Sequence, residues 1–285
     1  MDLHNITAYD IARDRTDLTF EEGAAPLGGG TWLFSEPQPH LHRLVDLSGL
    51  GWPAVTRHPD ALEIAATCTV EQMAALSDEA EHTAAPLFRQ CAEALLASWK
   101  IWKRATVGGN ICLSFPAGAM ISLATALDAD AVIWTIDGGE RRIPVADFVL
   151  GVASNALAPG EILRSIRIPL RVLSSRTVFR KIALSPLGRS GAVVIGRRDD
   201  DGSVTLSITA STVRPCLLRF TEVPSAQALS DALARLVPTT SYYTDAHGSA
   251  DWRRAVTAVL AEEIRIELSN TALSNTASAN TEVQP

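Results

Sequence analysis

The sequence contains no CxxC pair. Its four cysteines, Cys68, Cys91, Cys112 and Cys216, lie far apart. That spacing offers no iron–sulfur or zinc site within this chain, and it reads as free thiols in a reducing cytosol. No apolar run reaches the ~18–20 residues that a membrane-spanning helix needs. There is no Lys/Arg-rich block or basic tail, and the formal net charge is −7, which argues against a nucleic-acid footprint. The opening MDLHNITAYDIARDR has no charged stretch followed by an apolar one, so no signal peptide is expected. No catalytic triad, metal cluster or paired carboxylate stands out.

What is present is a core. Of 285 residues 47% are hydrophobic and 20% charged, the balance of a folded chain with one large domain or two modest ones. HRLVDLSGL (42–50) and ALEIAATCTV (61–70) are β-branched apolar runs bounded by Gly, Pro and Asp, and read as strands. Residues 71–81 and 85–100 read as helices. In the second, Leu87, Cys91, Leu95 and Trp99 form a stripe at a spacing of four, and Pro86 suits the first turn. A small-residue helix is expected at 116–129, and strands at 128–136 and 141–150 around the turn DGGE. After the strand 163–170 the grammar changes. RTVFRKIAL (176–184) and the runs 192–198 and 203–211 read as antiparallel strands, and 225–237 and 250–268 as amphipathic helices. The alternation argues α+β or α/β rather than all-β, with a boundary near residue 170. The tail 269–285, rich in Asn, Thr, Ser and Ala, is expected to be disordered.

Two glycine turns carry the chemistry. PLGGGTWLF (26–34) and ATVGGNICL (105–113) give up side chains where the backbone must turn tightly or let a ligand approach. Successive N–H groups around such a turn form an anion-binding nest, and the hydroxyls of Thr31 and Thr106 and the amide of Asn110 add donors. Two nests from separate parts of the chain can grip a diphosphate with little positive charge, which suits an acidic protein. Either turn alone is more often just a tight turn. Neither fits G-x-G-x-x-G or G-x-x-x-x-G-K-[ST].

Taken together, the turns resemble those of the FAD-binding medium subunits of the molybdenum hydroxylases, the family of carbon monoxide dehydrogenase medium chains and the flavin domain of xanthine dehydrogenase. The resemblance rests on GGGTWL (28–33), LVDLSGL, TVGGNICLSFPAGA (106–119), EILRSIRIPL, FRKIAL (179–184) and ITASTVRPCLLR (208–219), and spans roughly 5–268. It implies an α+β fold: a two-subdomain FAD-binding (PCMH/VAO-type) domain over 1–170, divided near 50–55, then a smaller antiparallel sheet-plus-helices domain over 171–268. It implies FAD in this chain, held by Gly28, Gly29, Gly30, Thr31, Trp32, Thr106, Val107, Gly108, Gly109, Asn110, Pro116 and Lys181, with no catalytic residue and no metal ligand of its own. It further implies an oxidoreductase subunit of a cytoplasmic heterotrimer. A small subunit would carry [2Fe–2S] clusters and a large one molybdopterin, and electrons would pass through FAD to an external acceptor.

The chain departs from the family pattern in three places. Trp32 stands where many relatives carry Asp, Ala119 where an Asp contacts the cofactor, and the stretch after Lys181 keeps Arg189 but no Asp. Two other readings therefore stay open: a self-contained FAD-dependent oxidase or reductase, and an interaction module without a flavin. Trp32 can stack on the flavin, face a partner, or simply sit half-buried. Lys181 can meet the cofactor or be solvated. Trp99 and Trp102 read as core, and Cys112 as a small buried hydrophobe. His40 and His42 can share a strand face but have no third ligand nearby. Arg197, Arg198 and Asp199–Asp201 read as a solvated hairpin tip.

Overall fold

The computed structural model describes residues 4–279. A small parallel sheet comes first, formed by β1 (Ala8–Ile11), β2 (Ala24–Leu27) and β3 (Arg43–Asp46). β3 lies between the other two, which is why Leu44 and Val45 are both buried while β1 is almost entirely exposed. Asp46 ends the strand by accepting the Ser48 N–H, and residues 47–50 turn as a 3-10 helix rather than continuing as strand. Leu27 of β2 pairs with Asp46, so the first glycine turn leaves directly from the end of the sheet.

The second layer holds β4 (Val55–Arg57) and β5 (Ala61–Ala65), then α1 (Val70–Ala74), α2 (Pro86–Ala94), α3 (Trp99–Trp102), α4 (Val107–Leu113) and α5 (Ala119–Ala126). It continues with β6 (Asp130–Trp134), β7 (Glu140–Pro144), α6 (Val145–Phe148), β8 (Val149–Gly151), β9 (Ser154–Asn155), β10 (Ile162–Pro169) and α7 (Leu170–Leu173). The main sheet is antiparallel in the order β4-β5-β10-β6-β7. Its core includes Ile64, Leu87, Phe88, Met120, Leu123, Phe148 and Ile166. The helix expected over 85–100 stops early. Its stripe holds through Leu87 and Cys91, but Leu96 takes φ 51° and turns the chain out of the helix. Trp99 then starts a separate turn and is 64% exposed, not core. The helix expected over 71–81 is likewise split, its second half a 3-10 turn over 75–78.

The third layer is an antiparallel sheet of β11 (Arg176–Ile182), β12 (Ala192–Arg198), β13 (Val204–Thr209) and β14 (Cys216–Phe220), with α8 (Ala226–Leu236) and α9 (Ala250–Ala279). Helix α9 includes part of the tail expected to be disordered; residues 280–285 lie outside the described residues. One face of the sheet meets α9 through Val194 and Ile264. The other meets α5: Ser122 pairs with Thr209 at 2.7 Å and Thr125 with Ser207 at 2.9 Å, all four hydroxyls buried.

Because both faces are covered, the solvated-tip reading of Arg197 fails. Strand alternation puts Arg197 on the face of Val193 and Ile195, toward α5, where it is 1% exposed. It donates to the Ala126 carbonyl at 2.7 Å, to Asp128 at 2.6 Å and to Asp199 at 2.7 Å. Burial works against the Asp128 carboxylate, but hydrogen bonds from Arg219 and Arg197 outweigh it and hold the carboxyl below the usual range.

Candidate functional site

The two glycine segments meet. Thr106 Oγ1 lies 2.9 Å from where a Cβ on Gly28 would sit, and a Cβ on Gly29 would run into the Arg104 carbonyl. Only glycine at 29 lets the first turn back so closely onto the strand-like stretch before α4. Gly30 takes φ 70°, the left-handed region, and its carbonyl accepts the Phe34 N–H at 2.8 Å.

The backbone of the first turn is otherwise unspent. Among the described residues, the N–H groups of Gly28, Gly29, Gly30, Thr31 and Trp32 make no hydrogen bond, nor does the Thr31 hydroxyl. Folded chains rarely leave such a row of donors without a partner. Half-buried and consecutive, the row has the character of a nest.

The second segment differs from the expected open turn. It is the N-terminus of α4, with Thr106 as its cap. Val107 N–H donates to the Cys68 carbonyl at 2.8 Å and Gly108 N–H to Ala66 at 2.9 Å. Gly109 N–H donates to Thr106 Oγ1 at 3.1 Å and Asn110 N–H to the Thr106 carbonyl at 3.0 Å. Of the donors that a helix leaves open at its start, those of Val107, Gly108 and Gly109 are thus taken by the protein. Gly108 is there for packing, since a Cβ on it would collide with Ala66. The Asn110 side-chain oxygen accepts the Met120 N–H at 2.9 Å and caps α5, whose own cap position is a glycine. The Asn110 amide nitrogen has no partner among the described residues and stays available.

Trp32 is half-buried, edge-on to Phe115 at 4.9 Å, with the Arg189 guanidinium 5.9 Å from its ring. The neighbouring Pro116 accepts the Ala210 N–H at 2.8 Å and so fastens this loop to the third layer. Ala119 is buried in the first turn of α5. Lys181 is exposed on the β11 face that carries Phe179, and no hydrogen bond or ion pair among the described residues joins it to the glycine turns. The ring of His42 lies 2.8 Å from the Glu22 carbonyl. Trp102 is half-buried against the core, and Cys112 packs there too, its thiol pushed up to about 12 by burial. Phe115 and Arg189, which flank Trp32, were not among the residues expected at the site. Local periodicity carries no signal for contacts between segments so far apart.

Known proteins place this geometry in a family. Residues 7–171, more than half of the chain, match the model of the FAD binding domain in molybdopterin dehydrogenase. Caffeine dehydrogenase subunit beta of Pseudomonas sp. (strain CBB1) is 33% identical over 135 residues, 46% of this chain and 44% of that protein. The carbon monoxide dehydrogenase medium chain of Afipia carboxidovorans is 26% identical over 252 residues, 84% of this chain and 86% of that one. In three dimensions, a chain of quinoline 2-oxidoreductase from Pseudomonas putida 86 superposes with a TM-score of 0.77 at 18% identity, covering 93% of this chain and 97% of that one. That likeness shows the same α+β fold. This chain belongs to the family of FAD binding domains in molybdopterin dehydrogenases.

Proposed function

We propose that this chain is the FAD-binding, electron-transfer subunit of a molybdenum-containing hydroxylase or dehydrogenase. The observation that carries the reading is the row of unpaired backbone donors from Gly28 to Trp32, on a turn that a Cβ at position 29 would block. Such a row suits the diphosphate of FAD, because backbone amides stabilise an anion without charged side chains. FAD, when bound, supplies the redox chemistry, and the protein supplies binding, orientation and electrostatics.

In this reading Gly28, Gly29, Gly30, Thr31 and Trp32 donate to the phosphates. Thr106, Val107, Gly108 and Gly109 form the wall behind that turn, and Asn110 offers its free amide nitrogen. Pro116 holds the adjoining loop, and Lys181 is the remaining cation of the set. The chain takes electrons from a small subunit bearing [2Fe–2S] clusters and passes them to an external acceptor, while a large molybdopterin subunit performs the hydroxylation. The matched relatives are themselves a subunit beta and a medium chain, which supports such an assembly. No helix among the described residues is long and apolar enough to cross a membrane, in keeping with a cytoplasmic complex.

The test is the visible absorption spectrum of the purified chain, with any released cofactor identified. Bands of oxidised flavin are expected, with FAD in the supernatant after denaturation. A colourless chain that takes up no added FAD would sink the reading.

A further inference from the structure

Trp32 belongs to the row of unpaired amides, and the segments of the two groups that flank its ring, Phe115 and Arg189, are bonded from one place. Phe115 precedes Pro116, whose carbonyl accepts the Ala210 N–H at 2.8 Å. Arg189 lies two residues before Gly191. The carbonyls of Ala210 and of Gly191, the latter at 3.2 Å, both accept from Nη1 of Arg253 on α9.

Arg253 is fully buried, 0% exposed. Its Nε donates to the Gly248 carbonyl at 3.2 Å, its Nη2 pairs with Asp245, and its guanidinium lies 4.0 Å from the centre of the Tyr243 ring. The Tyr243 hydroxyl gives the Ala210 carbonyl a second bond at 3.1 Å. Ala210 takes φ 64°, a conformation that a non-glycine residue keeps only where its surroundings over-determine it. A guanidinium is the side chain whose planar fork can meet several carbonyls at once; an ammonium is a single point. Such an arrangement is more than the burial of α9 requires.

We infer that Arg253 is a positioning residue: from the C-terminal helix it fixes, through Ala210 and Gly191, the two segments that clamp Trp32, and so sets the shape of the first glycine turn. Its bearing on FAD rests on the function proposed above, but the clamp itself does not.

The experiment compares R253M, R253K and Y243F with R197M, all in the full-length chain. Arg197 is a second buried arginine that also joins the third layer to the rest, but away from the glycine turns. Flavin fluorescence gives the dissociation constant for FAD. A rise of about tenfold or more is expected for R253M and R253K, and about threefold for Y243F, against less than about twofold for R197M even where its stability loss is as large. Hydrogen exchange of the FAD-free chain is the second readout. The Phe34, Ser35 and Ala210 amides, each hydrogen-bonded in this clamp, should exchange faster in R253K and not in R197M. Unchanged affinity and unchanged exchange in R253K would overturn the inference, as would an equal effect from R197M. Should R253M not fold, R253K and Y243F carry the comparison. If the wild-type chain binds no FAD, the proposed function fails, and the exchange data still decide the role of Arg253.

Discussion

The two glycine segments look alike in sequence and are opposite in structure. At Gly28–Trp32 five successive amides have no partner among the described residues. At Val107–Asn110 four successive amides are all bound, to carbonyls of residues 66, 68 and 106 and to a threonine hydroxyl. Glycine permits close packing in both, but only the first leaves its amides without a partner. A glycine pair therefore says where a backbone comes close to something, but not whether that something is a ligand or the protein itself.

Mutations sharpen this contrast, and Gly29→Ala should have the largest effect. The added methyl meets the Arg104 carbonyl, so the turn must move, and FAD affinity should fall by about a hundredfold or more, a loss of ~3 kcal/mol in a titration followed by flavin fluorescence. Asp128→Asn sets the scale of a pure stability loss far from both turns. It leaves buried Arg197 short of a partner and should cost ~3 kcal/mol in urea unfolding at neutral pH, with FAD affinity retained. The sign with pH follows from the depressed carboxyl. Its contribution is complete above the ordinary carboxylate range, ~3.9, and is lost as pH falls through the lower folded value. The gap between wild type and variant should therefore be constant from neutrality to mild acid and close only below that range.

Gly108→Ala tests the packing role directly. Its methyl meets Ala66, and overpacking of this kind costs ~1–3 kcal/mol. Stability should fall more than affinity, and a variant that is stable but blind to FAD would reverse the assignment of this segment. Thr106→Ala, the mildest, removes the cap on Gly109 and should cost ~1 kcal/mol by thermal or urea unfolding. Thr106→Ser should recover most of it.

The contrast also marks how far the sequence could be read. Strand and helix periods located most elements, the glycine runs themselves marked the two turns, and the family resemblance supplied the fold and the FAD assignment. The partners of the second segment's amides were out of reach, because Ala66 and Cys68 lie some forty residues earlier and meet it only in the folded chain. Arg197 was misread because a charged pair beside an Asp-rich turn is ordinarily solvated, and nothing local announces that α5 will cover that face. The break at Leu96 had no glycine or proline to signal it. The Trp32 clamp joins residues from three layers, so only the assembled structure reveals it.

The hydroxyl pairs between α5 and β13 have one more consequence. An interface of leucines tolerates sliding, since one apolar surface is much like the next. Here Ser122 and Thr125 must find Thr209 and Ser207, and a slip of one residue would strand the two buried hydroxyls of β13 at ~1–3 kcal/mol each, while Ser122 and Thr125 keep only the carbonyls of their own helix. The seam thus has a single allowed alignment, like a key cut to one depth. Variation among related chains at this junction should come as exchanged pairs rather than as shifted helices.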